Sequence, residues 1–287
     1  MGPQERRERS RFYDQFVPED ARDPLIDALE ETWSATARLC EELPPDAWEQ
    51  LTDCPGWTVR DHMSHMIGTE LSLLGVAAPA PPDPMPDYVR NPIGQANEAW
   101  IEARRTTPGA EVLAEFVSVT TRRLEELSSF PPERWQEVGW SPVGQAPYRE
   151  FMTIRVFDCW VHGQDIRWAL GRPGDRDGRG EKIALTRVSQ GMPFVVGRQV
   201  RPPDGTTVVF AVGGGPTLPI GVEDGRAKVL EATPAPPTVR IALSAEHFVR
   251  LGCGRQSPDE VLAAGQVGLE GDAALGEAVV RAMNFMI

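Results

Sequence analysis

A helical bundle followed by a smaller α+β domain, an α plus α/β chain overall, is the fold class this sequence predicts. Apolar residues recur at helical spacing as far as Leu170, and short β-type runs broken by Gly, Asp and Pro appear beyond residue 200. A charged, Gly-rich stretch at residues 175–180 separates the two compositions. At 287 residues the chain exceeds the usual size of one domain. We therefore expect a bundle over residues 1–174 and an α+β domain over 175–287.

Asp23-Pro24 has the form of an N-cap followed by Pro at the first helical position. Leu25, Leu29, Trp33, Leu39, Cys40 and Leu43 then keep a roughly 3.6-residue period until Pro44-Pro45. Thr58 and Asp61 form a capping-box-like start for a second helix, whose apolar stripe is Val59, Met63, Met66, Ile67, Leu71 and Leu74, with His65 beside it. Residues 77–86 are a Pro-rich loop. Residues 93–105 and 111–127 are further helical segments broken at Pro108-Gly109, and 139–147 is turn-rich. A long helix over 148–170 is stopped by Gly171-Arg172-Pro173-Gly174. Four helical regions with long crossovers predict a four-helix bundle, and bundle cores can assemble metal sites from facing helices. In the second domain we expect helices at 181–197, 245–251, 258–264 and 273–286, with strands at 206–212, 218–222, 227–230, 238–243 and 267–269.

A formal net charge of −13 argues against nucleic-acid partners, which call for clustered Lys and Arg. Of the 29 basic residues only Lys182 and Lys228 are lysines, an Arg bias typical of GC-rich, actinobacterial coding. Cys40, Cys54, Cys159 and Cys253 are scattered with no C-x-x-C, so free thiols are expected. Residues 1–10 are polar with no apolar signal segment, and no later stretch is long and apolar enough to span a bilayer. The reading is a cytoplasmic protein, monomer or homodimer, without a membrane partner.

Chemistry concentrates in two segments. Asp158 and His162, four residues apart, share one helical face, and His65 on the second helix supplies a third donor. Two imidazoles and one carboxylate form a known catalytic zinc shell with a position left open, although the set also suits Ni²⁺, Fe²⁺ or Mn²⁺. The same spacing also fits a hydrogen-bonded core pair. His62, three residues before His65, competes as ligand or stands as a partly exposed polar residue. Asp165, about one turn beyond His162, is placed to orient its ring, or else to pair with Arg167 at the surface. Trp57, Trp160 and Trp168 are assigned mainly to bundle packing. Cys159 reads as a buried small hydrophobe, and Cys54, in a loop, as the more exposed and reactive thiol. Gly213-Gly214-Gly215-Pro216 lacks the Lys of a phosphate loop, and no G-x-S-x-G elbow is present.

The stretches Gly56-Trp57-Thr58-Val59-Arg60-Asp61 through His65, and Arg155-Val156-Phe157-Asp158 through His162-Gly163-Gln164-Asp165-Ile166-Arg167, resemble the mycothiol-dependent maleylpyruvate isomerase family. Gly213 to Pro216, Leu243-Ser244, Gly254-Arg255, Gly271-Asp272 and Met283-Asn284 extend the resemblance to its second domain. The resemblance implies a DinB-like metal-binding bundle and a sterol-carrier-like C-terminal domain. It places the zinc triad on His65, Asp158 and His162, with mycothiol as thiol cosubstrate, and a catalytic arginine on Arg255. The characterised isomerase type carries Glu where this chain has Asp158. The function implied is a metal-dependent, mycothiol-using isomerase or S-transferase acting on a small electrophile. The alternative is a non-catalytic, metal-containing protein that binds a small ligand.

Overall fold

Side-chain caps at Asp23, Thr58 and Asn91 start three helices of the first half, in the computed structural model that describes residues 22–285. The readings at residues 1–10 and at residue 286 lie outside the described residues, and the last helix ends at Arg281, short of the expected end. Helix α1 (Pro24–Cys40) opens with the Leu25 amide donating to Asp23 Oδ1 at 2.9 Å. Helix α2 (Val59–Leu73) has a complete capping box: the Thr58 amide donates to Asp61 Oδ2 at 2.8 Å and the Asp61 amide to Thr58 Oγ1 at 3.3 Å. Helices α3 (Pro92–Glu102), α4 (Gly109–Ser128) and α5 (Tyr148–Leu170) follow, and Gly171 ends α5 in the left-handed region, φ 62°. Helices α1 and α2 each pack on both α4 and α5, which makes the expected bundle. Its core includes Leu29, Trp33, Met63, Met66, Phe116 and Val156.

The turn-rich stretch before α5 is instead a hairpin of β1 (Val138–Ser141) and β2 (Gly144–Pro147), paired antiparallel with Val138 opposite Pro147. Four-residue strands are too short for a period of two to show in the sequence.

In the second half, α6 (Arg179–Phe194) runs into a π-helical turn, Val195–Val200. The expected end at residue 197 falls inside this turn, because Pro193 has no amide proton to continue the α ladder. Strands β3 (Thr207–Gly213), β4 (Thr217–Glu223), β5 (Arg226–Val229), β6 (Val239–Ser244) and β7 (Gly268–Gly271) form one sheet in the order β5-β4-β3-β6-β7. Only the central pair, β3 and β6, is parallel. Helices α7 (Ala245–Gly252), α8 (Pro258–Ala263) and α9 (Ala273–Arg281) complete this half. Val208, Phe210, Ile220, Ile241, Phe248 and Val280 are part of its core. The chain is thus α plus α/β. No helix among the described residues is long and apolar enough to cross a membrane.

Helix α5 serves both cores. Met152, Val156, Cys159 and Ile166 pack into the bundle. Phe157, Trp160 and Val161 pack into the core of the second half. A helix enclosed in this way has little room for polar residues, yet α5 carries a stripe of them: Arg155, Asp158, His162 and Asp165, at helical spacings of three and four. That stripe meets His62 and His65 of α2 and places the site.

Candidate metal centre

His65, Asp158 and His162 come together. His65 Nε2 lies 3.1 Å from Asp158 Oδ2, and His162 Nε2 lies 3.5 Å from Asp158 Oδ1. A tetrahedral ion with bonds of about 2.1 Å holds its ligands about 3.4 Å apart, and one ligand atom from each of the three residues lies within 4.8 Å of the others, close enough that the trio could hold one ion. Donor type, spacing and burial agree: the side chains of His65 and His162 are 4% and 8% exposed, while that of Asp158 is 30% exposed and opens the trio on one side.

Asp158 is held by a buried charge network. Arg155 Nη1 donates to Asp158 Oδ2 at 2.5 Å, while its Nε and Nη2 donate to Glu70 Oε1 at 3.0 and 2.7 Å. Arg123 Nε donates to the other Glu70 oxygen at 3.1 Å. Burial pushes the Asp158 carboxyl up, but Arg155, His65 and His162 outweigh it and hold the pKa well below the usual carboxylate range. Oδ1 is left as the oxygen Arg155 does not occupy.

A second trio lies on the other side of His162. His162 Nδ1 is 3.2 Å from Asp165 Oδ2 and 2.9 Å from His62 Nδ1. His62 Nε2 is 2.8 Å from Thr52 Oγ1. His62 is therefore fully buried, not the partly exposed residue its polarity implied, and burial lowers its pKa well below the ordinary imidazole value. Asp165 is likewise buried and pairs with Arg255 rather than with Arg167: Arg255 Nε donates to its two oxygens at 3.1 and 3.2 Å. Burial raises the Asp165 carboxyl, but Arg255 and His162 outweigh it and bring the pKa to about 2. Burial also pulls His162 down, yet the two aspartates prevail and raise its pKa.

Trp57 is buried, and it packs on the histidines of the bundle helices. Its ring covers the cluster, with centroids 5.2, 5.3 and 5.5 Å from His65, His62 and His162. Gly56 makes the turn that delivers it, with φ +77°, and a Cβ there would lie 2.2 Å from the Tyr88 ring. Trp160 packs in the second core, and Trp168 lies under Arg250, 4.6 Å from guanidinium to ring centroid. Cys159 is buried as expected. Cys54 is not an activated thiol, because burial pushes its pKa up to about 12. All four cysteines are free.

Arg255 reaches the cluster from the second half of the chain. Gly254, at φ +67°, turns it inward, and its Nη1 donates to the Cys253 carbonyl at 2.8 Å. It touches Asp165, not the His65/Asp158/His162 trio. A cavity of about 430 Å³ lined by Asp53, Arg250, Arg255 and Gln256 adjoins one of about 390 Å³ lined by Thr52, Asp53, Trp168 and Arg250. The Arg250–Asp53 ion pair stands between them. Neither cavity is lined by the trio itself, but Thr52 and Arg255 connect them to His62 and Asp165. Sequence reasoning gave no role to Glu70, Arg123, Arg155 or Thr52. Arg155, three residues before Asp158, carried the one readable signal.

Bundle, sheet and histidine cluster define a chain of a helical half and an α/β half, with His65, Asp158 and His162 grouped between α2 and α5 where they could hold a metal ion. Family comparison agrees over both halves. The Mycothiol maleylpyruvate isomerase N-terminal domain matches residues 29–167, and the MDMPI C-terminal domain matches 182–278. The chain belongs to the mycothiol-dependent maleylpyruvate isomerase family. An uncharacterized protein of Mycobacterium tuberculosis, present in strains CDC 1551 and H37Rv, is 31% identical over 137 residues, 46% of this chain and 51% of its own. The chain thus spans about half the length of the curated relatives it matches. The crystal structure of a histidine-to-alanine mutant of mycothiol-dependent maleylpyruvate isomerase aligns at a TM-score of 0.54 and 14% identity, over 87% of this chain and 93% of that one, a likeness of fold. Sterol Carrier Protein 2 from Yarrowia lipolytica aligns over 36% of this chain and 92% of its own with 14% identity and a TM-score of 0.26, so the strand order above, not the alignment, describes the second domain.

Proposed function

We propose that this chain is a metal-dependent enzyme that uses a low-molecular-weight thiol, mycothiol, to isomerise or conjugate a small electrophile in the manner of a maleylpyruvate isomerase. We further assign residues 1–174 to the metal-binding bundle and 175–287 to the second domain, in a cytoplasmic protein. The observation that carries the reading is the convergence of His65 Nε2, His162 Nε2 and the Asp158 carboxylate at ion-compatible separations, with exposure on one side only.

His65, Asp158 and His162 would hold a divalent ion, with Zn²⁺ the best match to the donor set. When bound, such an ion lowers the pKa of a thiol so that its sulfur is nucleophilic at neutral pH. The chain's own groups do the rest. Arg155 fixes Asp158 and keeps the carboxylate ionised. Trp57 covers the imidazoles and limits water. Arg255 lines the adjoining cavity, and its Nη2 makes no hydrogen bond among the described residues, which leaves that end of the guanidinium for an anionic substrate. Addition of the thiol to a cis double bond, rotation and thiol loss would give an isomerase. Release of the adduct would give a transferase.

The test is metal content together with thiol-dependent turnover of maleylpyruvate and related electrophiles. Wild-type protein should carry one ion per chain and consume substrate only with thiol present. His65→Ala and His162→Ala should lose both properties. Full thiol-dependent turnover by metal-stripped protein would defeat the proposal.

A further inference from the structure

The hydrogen-bond chain around His162 fixes which of its nitrogens carries a proton. Thr52 Oγ1 lies 2.8 Å from His62 Nε2 and 3.2 Å from the Trp57 carbonyl, which also accepts from the Thr52 amide at 3.0 Å. His62 Nδ1 lies 2.9 Å from His162 Nδ1. On the same side lies the Asp165 carboxylate, an acceptor only, whose two oxygens are gripped by Arg255 Nε. This carboxylate requires a proton on His162 Nδ1. The nitrogen left to act as a donor is Nε2, the one that faces Asp158 Oδ1.

We propose that Asp165, clamped by Arg255 from the second domain, is the positioning residue that commits His162 to donate through Nε2, so that the second domain sets the metal affinity of the bundle. This inference rests on the metal reading above. Asp165 is 0% exposed and stands on α5, whereas Arg255 follows α7, so the clamp exists only when the two domains are apposed. A carboxylate behind a ligating imidazole orients the ring and raises its basicity, and removing such a partner costs about 10–100-fold in metal affinity. The arrangement also separates the second trio, His62, His162 and Asp165, from the ion site: Arg255 engages both of its carboxylate oxygens, whereas Arg155 engages only Oδ2 of Asp158.

The experiment uses the full chain, with Zn²⁺ titrated against a chromophoric chelator in the absence of substrate. Asp165→Asn should weaken Zn²⁺ binding by about 10–100-fold. Arg255→Gln should weaken it in the same direction, and the double variant should lose less than the product of the two single effects, because the residues act through one contact. Imidazole ¹⁵N shifts of the Zn²⁺-loaded wild-type protein should place the proton of His162 on Nδ1, a readout that does not depend on either variant folding. Unchanged affinity in both single variants, a proton on His162 Nε2, or two Zn²⁺ ions per chain would each overturn the inference. If His65→Ala binds Zn²⁺ as wild type does, the metal reading has failed. If His65→Ala loses Zn²⁺ while Asp165→Asn and Arg255→Gln keep it, only the positioning role has failed.

Discussion

The two faces of His162 carry nearly the same chemistry and very different circumstances. Toward Nε2 stand His65 and Asp158; toward Nδ1 stand His62 and Asp165. Each side offers a second imidazole and a carboxylate within a few ångströms. Asp165 is enclosed and paired with Arg255, while Asp158 shares its charge with Arg155 and is 30% exposed. Donor type and spacing thus do not distinguish a metal site from a supporting network. The distinction comes from access to solvent and from an oxygen not already occupied by a cation, because a fully enclosed, compensated pair gains little from an ion it would have to displace a guanidinium to bind.

The sharpest way to break this comparison is to exchange the losses on the two faces. His65→Ala should abolish metal retention, whereas His62→Gln should keep one ion per chain with only weakened affinity. Metal analysis of the dialysed proteins checks both, and equal loss would make the two trios one site.

Glu70→Gln tests the support behind Asp158. It removes the carboxylate shared by two buried guanidinium groups, Arg123 and Arg155. Breaking a buried pair of this kind costs about 3–5 kcal/mol, so urea unfolding of the metal-free protein should shift to a clearly lower midpoint. An unchanged midpoint would show that the network is not needed for folding.

Acid unfolding sharpens the same contrast on the Asp165 side. The folded pKa of Asp165 is lowered to about 2 from an ordinary value of 3.8, so its contribution is fully present above the ordinary value and is lost as pH falls toward about 2. The size is roughly 2–3 kcal/mol. Metal-free wild-type protein should lose that much between about pH 5 and pH 2, and Asp165→Asn should show a flatter profile over the same window. His162 has the opposite sign: its raised pKa stabilises the fold below about pH 6.5 and the benefit disappears as pH rises through the folded value.

The smallest effect is expected at the start of α2. Thr58→Ala removes one half of the capping box and should lower stability by about 1 kcal/mol, read as a modest fall in Tm. Because α2 carries both His62 and His65, a larger effect on metal affinity than on Tm would mean that the cap also sets their register.

Most of the fold was legible because its signals are local. The Asp23 and Thr58 caps, the Gly171 stop and the apolar period of α1, α2 and α5 are contacts within a few residues of one another. The hairpin at Val138–Pro147 escaped notice because its strands pair over too few residues to leave a period. Of the candidate site, His65, Asp158 and His162 were legible from spacing and resemblance. The pairing of Asp165 with Arg255, 90 residues apart, was not, since no local pattern links α5 to the loop after α7. Thr52 and Glu70 were equally silent: a threonine in a loop and a glutamate on a helix look like surface residues until the neighbouring helices enclose them.

By itself the sequence determined the secondary-structure plan, the α plus α/β class and the donor types available at one helical stripe, because helix periodicity and caps are written in residues a turn apart. Only the tertiary structure decided which nitrogen of His162 faces which aspartate, that Trp57 covers the cluster, and that a guanidinium from the second domain closes one side and leaves the other open. Those outcomes depend on burial and on partners brought from distant elements, and the energy of a buried charge is set by what surrounds it, not by its place in the chain.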